Sequence, residues 1–444
     1  MRASIFGSAL VENRELVLDK GLWNLHDCGV MATRNKNRWY ITRGLRGEIL
    51  DMNKHYPCVL ITGSRQVGKS TLLQQIMPKG MRYLSMDDEQ LADYAQRDPA
   101  GFLESFGTPL CIDEVQYVPK LFRAIKARVD ADRHAGLYWL TGSQRYLMMK
   151  GVSESLAGRI GIADMYTLSQ NEAYGDGKAN GFNLAAPAKS LCKESVCDIP
   201  ELYARIMRGG YPELFRDPSL ETGKFFRNYV NTYVKRDVHD LVNVGDDVAF
   251  TKFMRAAALR TGQQLVYADL AKSADVSPKT AASWISILVA SGIVELVQPY
   301  YVNTTKRLAK TPKLYFMDTG LCCHLAGWKD LERVMVGPNS GPILETWVYG
   351  QLVRRYANAG TPVDIYYYRN QDNKAEVDFV IEENDRVYPM EVKRTATPLS
   401  ADLRHCPDIP VGPGGTLMPP ILFCTVKELL PMAHKALAFP ISAL

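Results

Sequence analysis

The run Cys58-Val59-Leu60-Ile61-Thr62-Gly63-Ser64-Arg65-Gln66-Val67-Gly68-Lys69-Ser70-Thr71 constrains this chain more than any other stretch. It carries the spacing G-x-x-x-x-G-K-[ST]. A short apolar run rich in β-branched residues leads in, and a helical run over 70–77 leads out and stops at Pro78-Lys79-Gly80. Gly63 and Gly68 lack Cβ, so the backbone can turn tightly and aim successive N–H groups inward. The positive end of the following helix dipole adds to this field. Such a cradle suits the phosphates of ATP or GTP. Lys69 would reach the β- and γ-phosphates and the Ser70 hydroxyl would hold Mg²⁺. Ser64, Gln66, Val67 and Thr71 complete the loop, and Arg65 within it reads as a surface charge. A chance match to the spacing arises in on the order of one or two per hundred chains of this length, and the flanking strand and helix set this one apart.

A second run, Leu110-Cys111-Ile112-Asp113-Glu114-Val115-Gln116, reads as a buried parallel strand ending in two carboxylates. Ligands in such sheets bind at the carboxyl ends of the strands. Asp113 would order the Mg²⁺ shell and Glu114 would polarise the attacking water; the alternative is a solvated loop start. A third strand, 137–141, ends at Thr141-Gly142-Ser143-Gln144, so Thr141 and Ser143 are candidates to sense the γ-phosphate. Further on, Gly158-Arg159 offers Arg159 either as an arginine finger or as an ordinary surface arginine.

The chain has 444 residues, 46% hydrophobic and 23% charged, which suggests two to four domains of ordinary globular composition. A net charge of +5 is compatible with nucleic acid without pointing to it. The 9 cysteines are scattered without a C-x-x-C pair and read as reduced thiols. No apolar run is long enough to span a bilayer. Glu12, Arg14, Glu15 and Asp19 crowd the amino terminus, so no signal peptide and a cytoplasmic location are expected.

Residues 1–37 hold few periodic apolar positions and form an amino-terminal extension; the natural start is expected at Met31. Ile41, Leu45, Ile49 and Leu50 sit at helical spacing and predict an amphipathic helix over 40–52. Strands and helices then alternate over 58–62, 69–77, 81–85, 88–96, 110–113, 119–131 and 137–141, which means an α/β unit spanning 38–180, a parallel sheet between helices. Residues 171–200 are rich in Gly, Ala, Asn, Lys and Ser and predict a loop with little drive to pack. They open a linker and helical region over 181–245, with helices at 201–208, closed by Gly209-Gly210, and at 221–241.

Residues 246–312 read as a winged helix-turn-helix: helices at 248–260, 267–273 and from Ser277-Pro278 to 291, then wing strands at 293–301 and 306–316. Ala281, Trp284, Ile285, Leu288 and Val289 form the inward stripe of its third helix. Lys279, Lys306, Arg307, Lys310 and Lys313 supply positive charge on or near its exposed side. The module would contact DNA or serve as an internal protein–protein unit.

The last unit, 313–444, contains Glu376-Val377-Asp378 and Glu391-Val392-Lys393 on two alternating strands. Period two puts Glu376 with Asp378, and Glu391 with Lys393, on single faces. If those faces coincide, two carboxylates could hold Mg²⁺ while a lysine positions a water. The spacing of Asp378 and Glu391-Val392-Lys393 resembles the PD-(D/E)xK nuclease superfamily, with Glu345 on the upstream helix at 343–355 as a further metal-binding acid. The alternative is a solvent-facing salt-bridge patch.

Taken in order, the chain resembles a group of bacterial and archaeal AAA-like ATPases that join an amino-terminal P-loop domain to a carboxyl-terminal domain of uncharacterised function. The resemblance rests on Gly63 to Ser70, Ile112-Asp113-Glu114-Val115-Gln116, Thr141-Gly142-Ser143, Ser155-Leu156-Ala157-Gly158-Arg159, Gly209-Gly210-Tyr211-Pro212, Lys313-Leu314-Tyr315-Phe316-Met317-Asp318-Thr319-Gly320-Leu321, Glu376-Val377-Asp378-Phe379 and Glu391-Val392-Lys393, and covers about 38–400. It implies ATP rather than GTP, Mg²⁺, and Glu114 as the catalytic glutamate. The expected function is an ATP-hydrolysing switch coupled to a module that engages DNA or a protein. An ATP-gated metal-dependent DNA nuclease and a non-hydrolysing nucleotide-binding scaffold are the alternatives.

Overall fold

The structure, a computed structural model, describes residues 39–143, 145–177, 181–234, 247–303, 305, 307, 310–370, 372 and 374–444. The expectations for 1–37, for the last third of the helix at 221–241, and for Gln144 and Lys306 fall outside these residues.

Five short strands form a wholly parallel sheet: β1 (Cys58–Thr62), β2 (Arg82–Ser85), β3 (Leu110–Asp113), β4 (Tyr138–Gly142) and β5 (Ile160–Asp164), in the order β2-β3-β4-β1-β5. Alternate residues of β1 feed opposite cores. Cys58 and Leu60 pack with Ile112, Tyr138 and Leu140 on one side, and Val59 and Ile61 with Leu72, Cys111 and Trp139 on the other. Both faces are covered by helices, which is why the strands read as continuous apolar runs. This is the α/β P-loop architecture. The helix expected over 40–52 begins later, at Arg46–His55. Gly44 is a poor helix former, and the Arg43 guanidinium is committed to residues of the nucleotide loop and beyond. The helix Pro99–Phe106 escaped the periodicity. Its signal is Asp98, whose Oδ1 accepts from Gly101 N at 2.9 Å, followed by Pro99 in the first turn.

The second half begins with the helix Ile199–Arg208. It continues with the helices Asp247–Ala258, Tyr267–Ala274 and Pro278–Ala290 and an antiparallel sheet ordered β6-β8-β7, with β6 (Gln263–Gln264), β7 (Val294–Val297) and β8 (Lys313–Phe316). Ser277 Oγ caps the third of these helices, accepting from Thr280 N at 3.0 Å. Ala281, Trp284, Ile285 and Leu288 are buried along it, while Lys279, Ser283 and Ser286 face solvent.

The long helix Ser340–Asn358 then leads into β9 (Ile365–Arg369), β10 (Glu376–Glu383) and β11 (Arg386–Lys393), an antiparallel meander. β12 (Thr416–Leu417) pairs with β11; β13 (Ile421–Cys424), β14 (Leu430–Pro431) and β15 (Leu437–Pro440) extend the sheet, with β11, β13 and β15 parallel. The segment 171–200 does not behave as a loosely packed insertion. Phe182 is 2% exposed and its ring lies 5.6 Å from that of Phe423 and 5.3 Å from that of Phe439. Tyr356 OH donates to Phe182 O at 2.9 Å and Arg355 Nη1 to Ser190 O at 2.7 Å. A polar average composition concealed a few apolar anchors, Phe182, Leu184 and Cys192.

Two of the sequence motifs form one joint between the halves. Asp318 accepts from Leu321 N at 2.9 Å, capping its own helix, and from Gly210 N at 2.8 Å. A Cβ on Gly320 would stand 2.7 Å from Arg208 O, so the close approach requires glycine there. Gly210 O accepts from Leu168 N at 2.7 Å, and Arg354 Nη2 donates to Thr167 Oγ1 at 2.7 Å. Among the described residues no helix is long and apolar enough to cross a membrane.

Candidate nucleotide site and the carboxyl-terminal carboxylate cluster

Lys69, Ser70, Asp113 and Glu114 meet at the carboxyl edge of the parallel sheet. Gly63 and Gly68 take φ of 152° and 97°. A Cβ on Gly63 would collide with the Met165 carbonyl oxygen, so glycine is needed for both space and conformation. Lys69 is 5% exposed, and its Nζ donates to Gly63 O at 2.9 Å and Ser64 O at 3.0 Å. Ser70 Oγ donates to Asp113 Oδ2 at 2.7 Å. A cavity of about 390 Å³ opens beside the loop, lined by Trp39, Tyr40, Arg65 to Thr71, Glu114, Pro212 and Arg216 among others. That volume lies within the range of small-ligand pockets.

Asp113 is a hub for three hydroxyls. Besides Ser70, Tyr83 OH donates to its Oδ2 and Thr141 Oγ1 to its Oδ1. Burial and the Asp113 carboxylate together push the Tyr83 hydroxyl pKa well up. Thr141, expected to face the γ-phosphate, is fully buried and spends its hydroxyl on Asp113 and on Glu114 N, from which it accepts at 3.3 Å. Glu114 sits in a left-handed conformation, φ 54° and ψ 44°, which turns its side chain off the strand line toward the cavity. Arg159 precedes β5 and therefore lies at the amino edge of the sheet, opposite the loop. Its Nε pairs with Asp130 Oδ1 at 2.6 Å, which lowers the Asp130 pKa.

Sequence reasoning missed Tyr83, Gln116 and Arg43. Arg43 is 4% exposed; its Nη1 donates to Val67 O at 2.7 Å, Nη2 to Tyr166 O at 2.7 Å and Nε to Glu172 Oε1 at 2.9 Å. Burial works to raise the Glu172 pKa, but the Arg43 charge and the backbone N–H groups of Ser169 and Gly44 outweigh it and hold it low. The loop is also touched from the second half. Tyr211 is 1% exposed and lines a small cavity with Gly63, Ser64, Gly292, Asp318 and Leu321.

The carboxyl-terminal residues also converge. Asp378 Oδ2 accepts from Val392 N at 2.8 Å, and Lys393 Nζ lies 2.6 Å from Glu391 Oε2 and 3.8 Å from Asp378 Oδ2. Burial, then the Asp378 charge, raises the Glu391 pKa. Lys313 reaches the neighbouring acids Glu345 and Glu376 from the sheet β6-β8-β7. Lys313, on β8, is 3% exposed; its Nζ stands 2.9 Å from Glu345 Oε1 and 2.7 Å from Glu376 Oε1. Tyr315 OH donates to Glu345 Oε1 at 2.5 Å. Lys313 is therefore not an exposed wing cation. Arg307 is also turned inward: 8% exposed, Nη2 2.7 Å from Glu382 Oε2, over the rings of Tyr300 and Tyr366. The sheet edge explains both, because β9 pairs with the chain just after β7, Tyr300 N donating to Tyr367 O at 2.6 Å. Among the described residues no group of three or more His, Cys, Asp and Glu side chains is placed to hold a metal ion.

Family models match three consecutive stretches: an AAA domain over 55–174, a domain of unknown function (DUF8612) over 199–332 and another (DUF4143) over 340–444. A Walker-type ATPase of Pyrococcus abyssi shares 15% identity at a TM-score of 0.41, covering 64% of this chain and 97% of its own. Uncharacterized proteins of Mycobacterium tuberculosis (Rv2008c) and Mycobacterium bovis (Mb2031c) are each 30% identical over 347 residues, 77% of this chain and 71% of theirs. The chain belongs to the family of these mycobacterial proteins, and its amino-terminal unit is an AAA-like P-loop ATPase domain.

Proposed function

We propose that the protein is an ATP-hydrolysing switch. The observation that carries this reading is the meeting of Lys69, Ser70 and Glu114, from two separate elements, around one cavity, with Asp113 bonded to Ser70. Lys69 would bind the β- and γ-phosphates. Ser70 and Asp113 supply two hard oxygen donors, which suit Mg²⁺; when bound there, Mg²⁺ screens the phosphate charge. Glu114 takes a proton from water as the water oxygen bonds to the γ-phosphorus. The bond to the bridging oxygen breaks, and ADP leaves with its electron pair. Glu114→Gln should keep ATP binding within about threefold and lower turnover at least about 100-fold, measured by nucleotide titration and phosphate release. Retained turnover would refute the assignment.

The output would pass through the small cavity where Gly63 and Ser64 face Tyr211 and Gly292. We assign 247–316 to a winged-helix module whose face of Lys279, Ser283 and Ser286 engages DNA or a protein. Double- or single-stranded DNA that accelerates ATP turnover without being cut favours DNA; indifference favours a protein target. Tight binding without turnover would favour the scaffold. An ATP-gated nuclease has in its support the order helix 340–358, β9, β10, β11, β13 and the approach of Asp378, Glu391 and Lys393. On that reading Asp378→Ala stops Mg²⁺- or Mn²⁺-dependent DNA cleavage while ATP turnover continues. Absence of cleavage of any DNA form counts against it.

A further inference from the structure

The residue two beyond the proposed base is buried against it. Gln116 is 6% exposed, in the single 3₁₀ turn Val115–Tyr117 that follows Glu114. Its Nε2 donates to Glu114 Oε2 and lies 3.4 Å from Ser143 Oγ, which itself donates to Glu114 Oε2 at 3.1 Å. Chemistry fixes the orientation of the amide. Turned over, it would set Oε1 against a carboxylate oxygen, acceptor against acceptor. As it stands, Oε1 has no hydrogen-bond partner among the described residues, an unmet need inside the protein. The fold also makes room for this side chain. A Cβ on Gly142, at the end of β4, would come within 2.6 Å of Gln116 Oε1.

We propose that Gln116 is a positioning residue for Glu114. It acts through the carboxylate, not on the nucleotide, and the inference rests on the reading of Glu114 as base. Both donors, from Gln116 and Ser143, fall on the same oxygen, Oε2. Two donors on one oxygen fix the rotation of the carboxylate. They leave Oε1, which has no recorded bond among the described residues, as the oxygen that faces a water. The left-handed backbone at Glu114 aims the side chain, and Gln116 holds it there. A general base must sit within hydrogen-bond reach of the proton it takes, so loosening its rotation lowers the chemical step and spares binding.

The test uses the full chain with Mg²⁺ and ATP. Gln116→Ala, and the isosteric Gln116→Glu, which replaces the donor with an acceptor, should lower kcat by about 10- to 100-fold. The Kd for ATP should stay within about threefold, because Gln116 touches no loop residue that would meet phosphate. In a Glu114→Gln background, Gln116→Ala should cost little more, since the two act as a unit. The Glu variant keeps the side-chain volume and tests the idea if the Ala variant does not fold. Turnover kept in Gln116→Ala, a parallel loss of ATP binding, or additive losses in the double variant would each overturn the inference while leaving the base reading intact. Turnover kept in Glu114→Gln would overturn both.

Discussion

Lys69→Ala is expected to yield a folded protein that no longer retains ATP. In the structure the Lys69 ammonium is folded over its own loop, donating to Gly63 O at 2.9 Å and Ser64 O at 3.0 Å. Those two bonds contribute only about 1 kcal/mol each to stability. Gly63 and Ser64 are themselves only half-buried, so their carbonyls are not sealed in the core. The architecture, with Leu60, Ile61 and Leu72 buried beneath the loop, does not depend on those bonds. For ATP the loss is larger. Hydrogen bonds to charged groups contribute about 1.5–3 kcal/mol, and the ammonium would make at least two with β- and γ-phosphate oxygens. Affinity should fall by about 100-fold or more. Calorimetric titration of Mg-ATP, beside a thermal melt of the same sample, separates the two effects. An affinity within threefold of the parent would remove Lys69 from the site.

Lys69 was legible because everything that defines its role is contiguous: a strand, two glycines, a lysine, a hydroxyl and a helix within 58–76. The Asp113-Glu114 pair was legible for the same reason, since an apolar run announces a strand and its last residues mark the carboxyl edge of a parallel sheet. The residues that hold these groups were not. Arg43 meets Glu172 across 129 positions of chain, and Tyr83 meets Asp113 across 30. Neither pairing leaves a periodic trace. Thr141 shows a subtler limit: its place at a strand tip was readable, but whether its hydroxyl faces the cavity or Asp113 depends on the register of β3 against β4. Lys313 fails for a different reason, whereas Lys279 and Lys310 are exposed as expected. Alternation tells which residues of β8 share a face, not what later covers that face. The covering element, β9 with the helix Ser340–Asn358, lies well downstream. Charge alone then suggested solvent, where the fold supplies carboxylates.

That covering makes Lys313→Met the second substitution with a large expected effect. Burial disfavours the Lys313 ammonium, yet the carboxylates of Glu345, Asp378 and Glu376 outweigh it and hold its pKa above the ordinary lysine value. Methionine keeps most of the length and the apolar stem, so the change removes charge with little cavity. What remains is Glu345 beside the Asp378 charge, with the Tyr315 hydroxyl as its hydrogen-bond donor among the described residues. Breaking a buried pair from one side costs about 3–5 kcal/mol, because the surviving charge is left without its partner. The melting midpoint should drop by on the order of 10 °C. Adding Glu345→Gln removes that stranded charge and should recover much of the loss, since replacing both ends of a buried pair is often close to neutral. If Lys313 were instead an exposed DNA-contacting cation, the single variant would melt within about a degree of the parent and only DNA affinity would change. A melt of the parent, the single and the double variant decides between the two. The same series tests whether the second and third units are held together through this ion cluster, because β8 and the helix carrying Glu345 belong to different units of the chain.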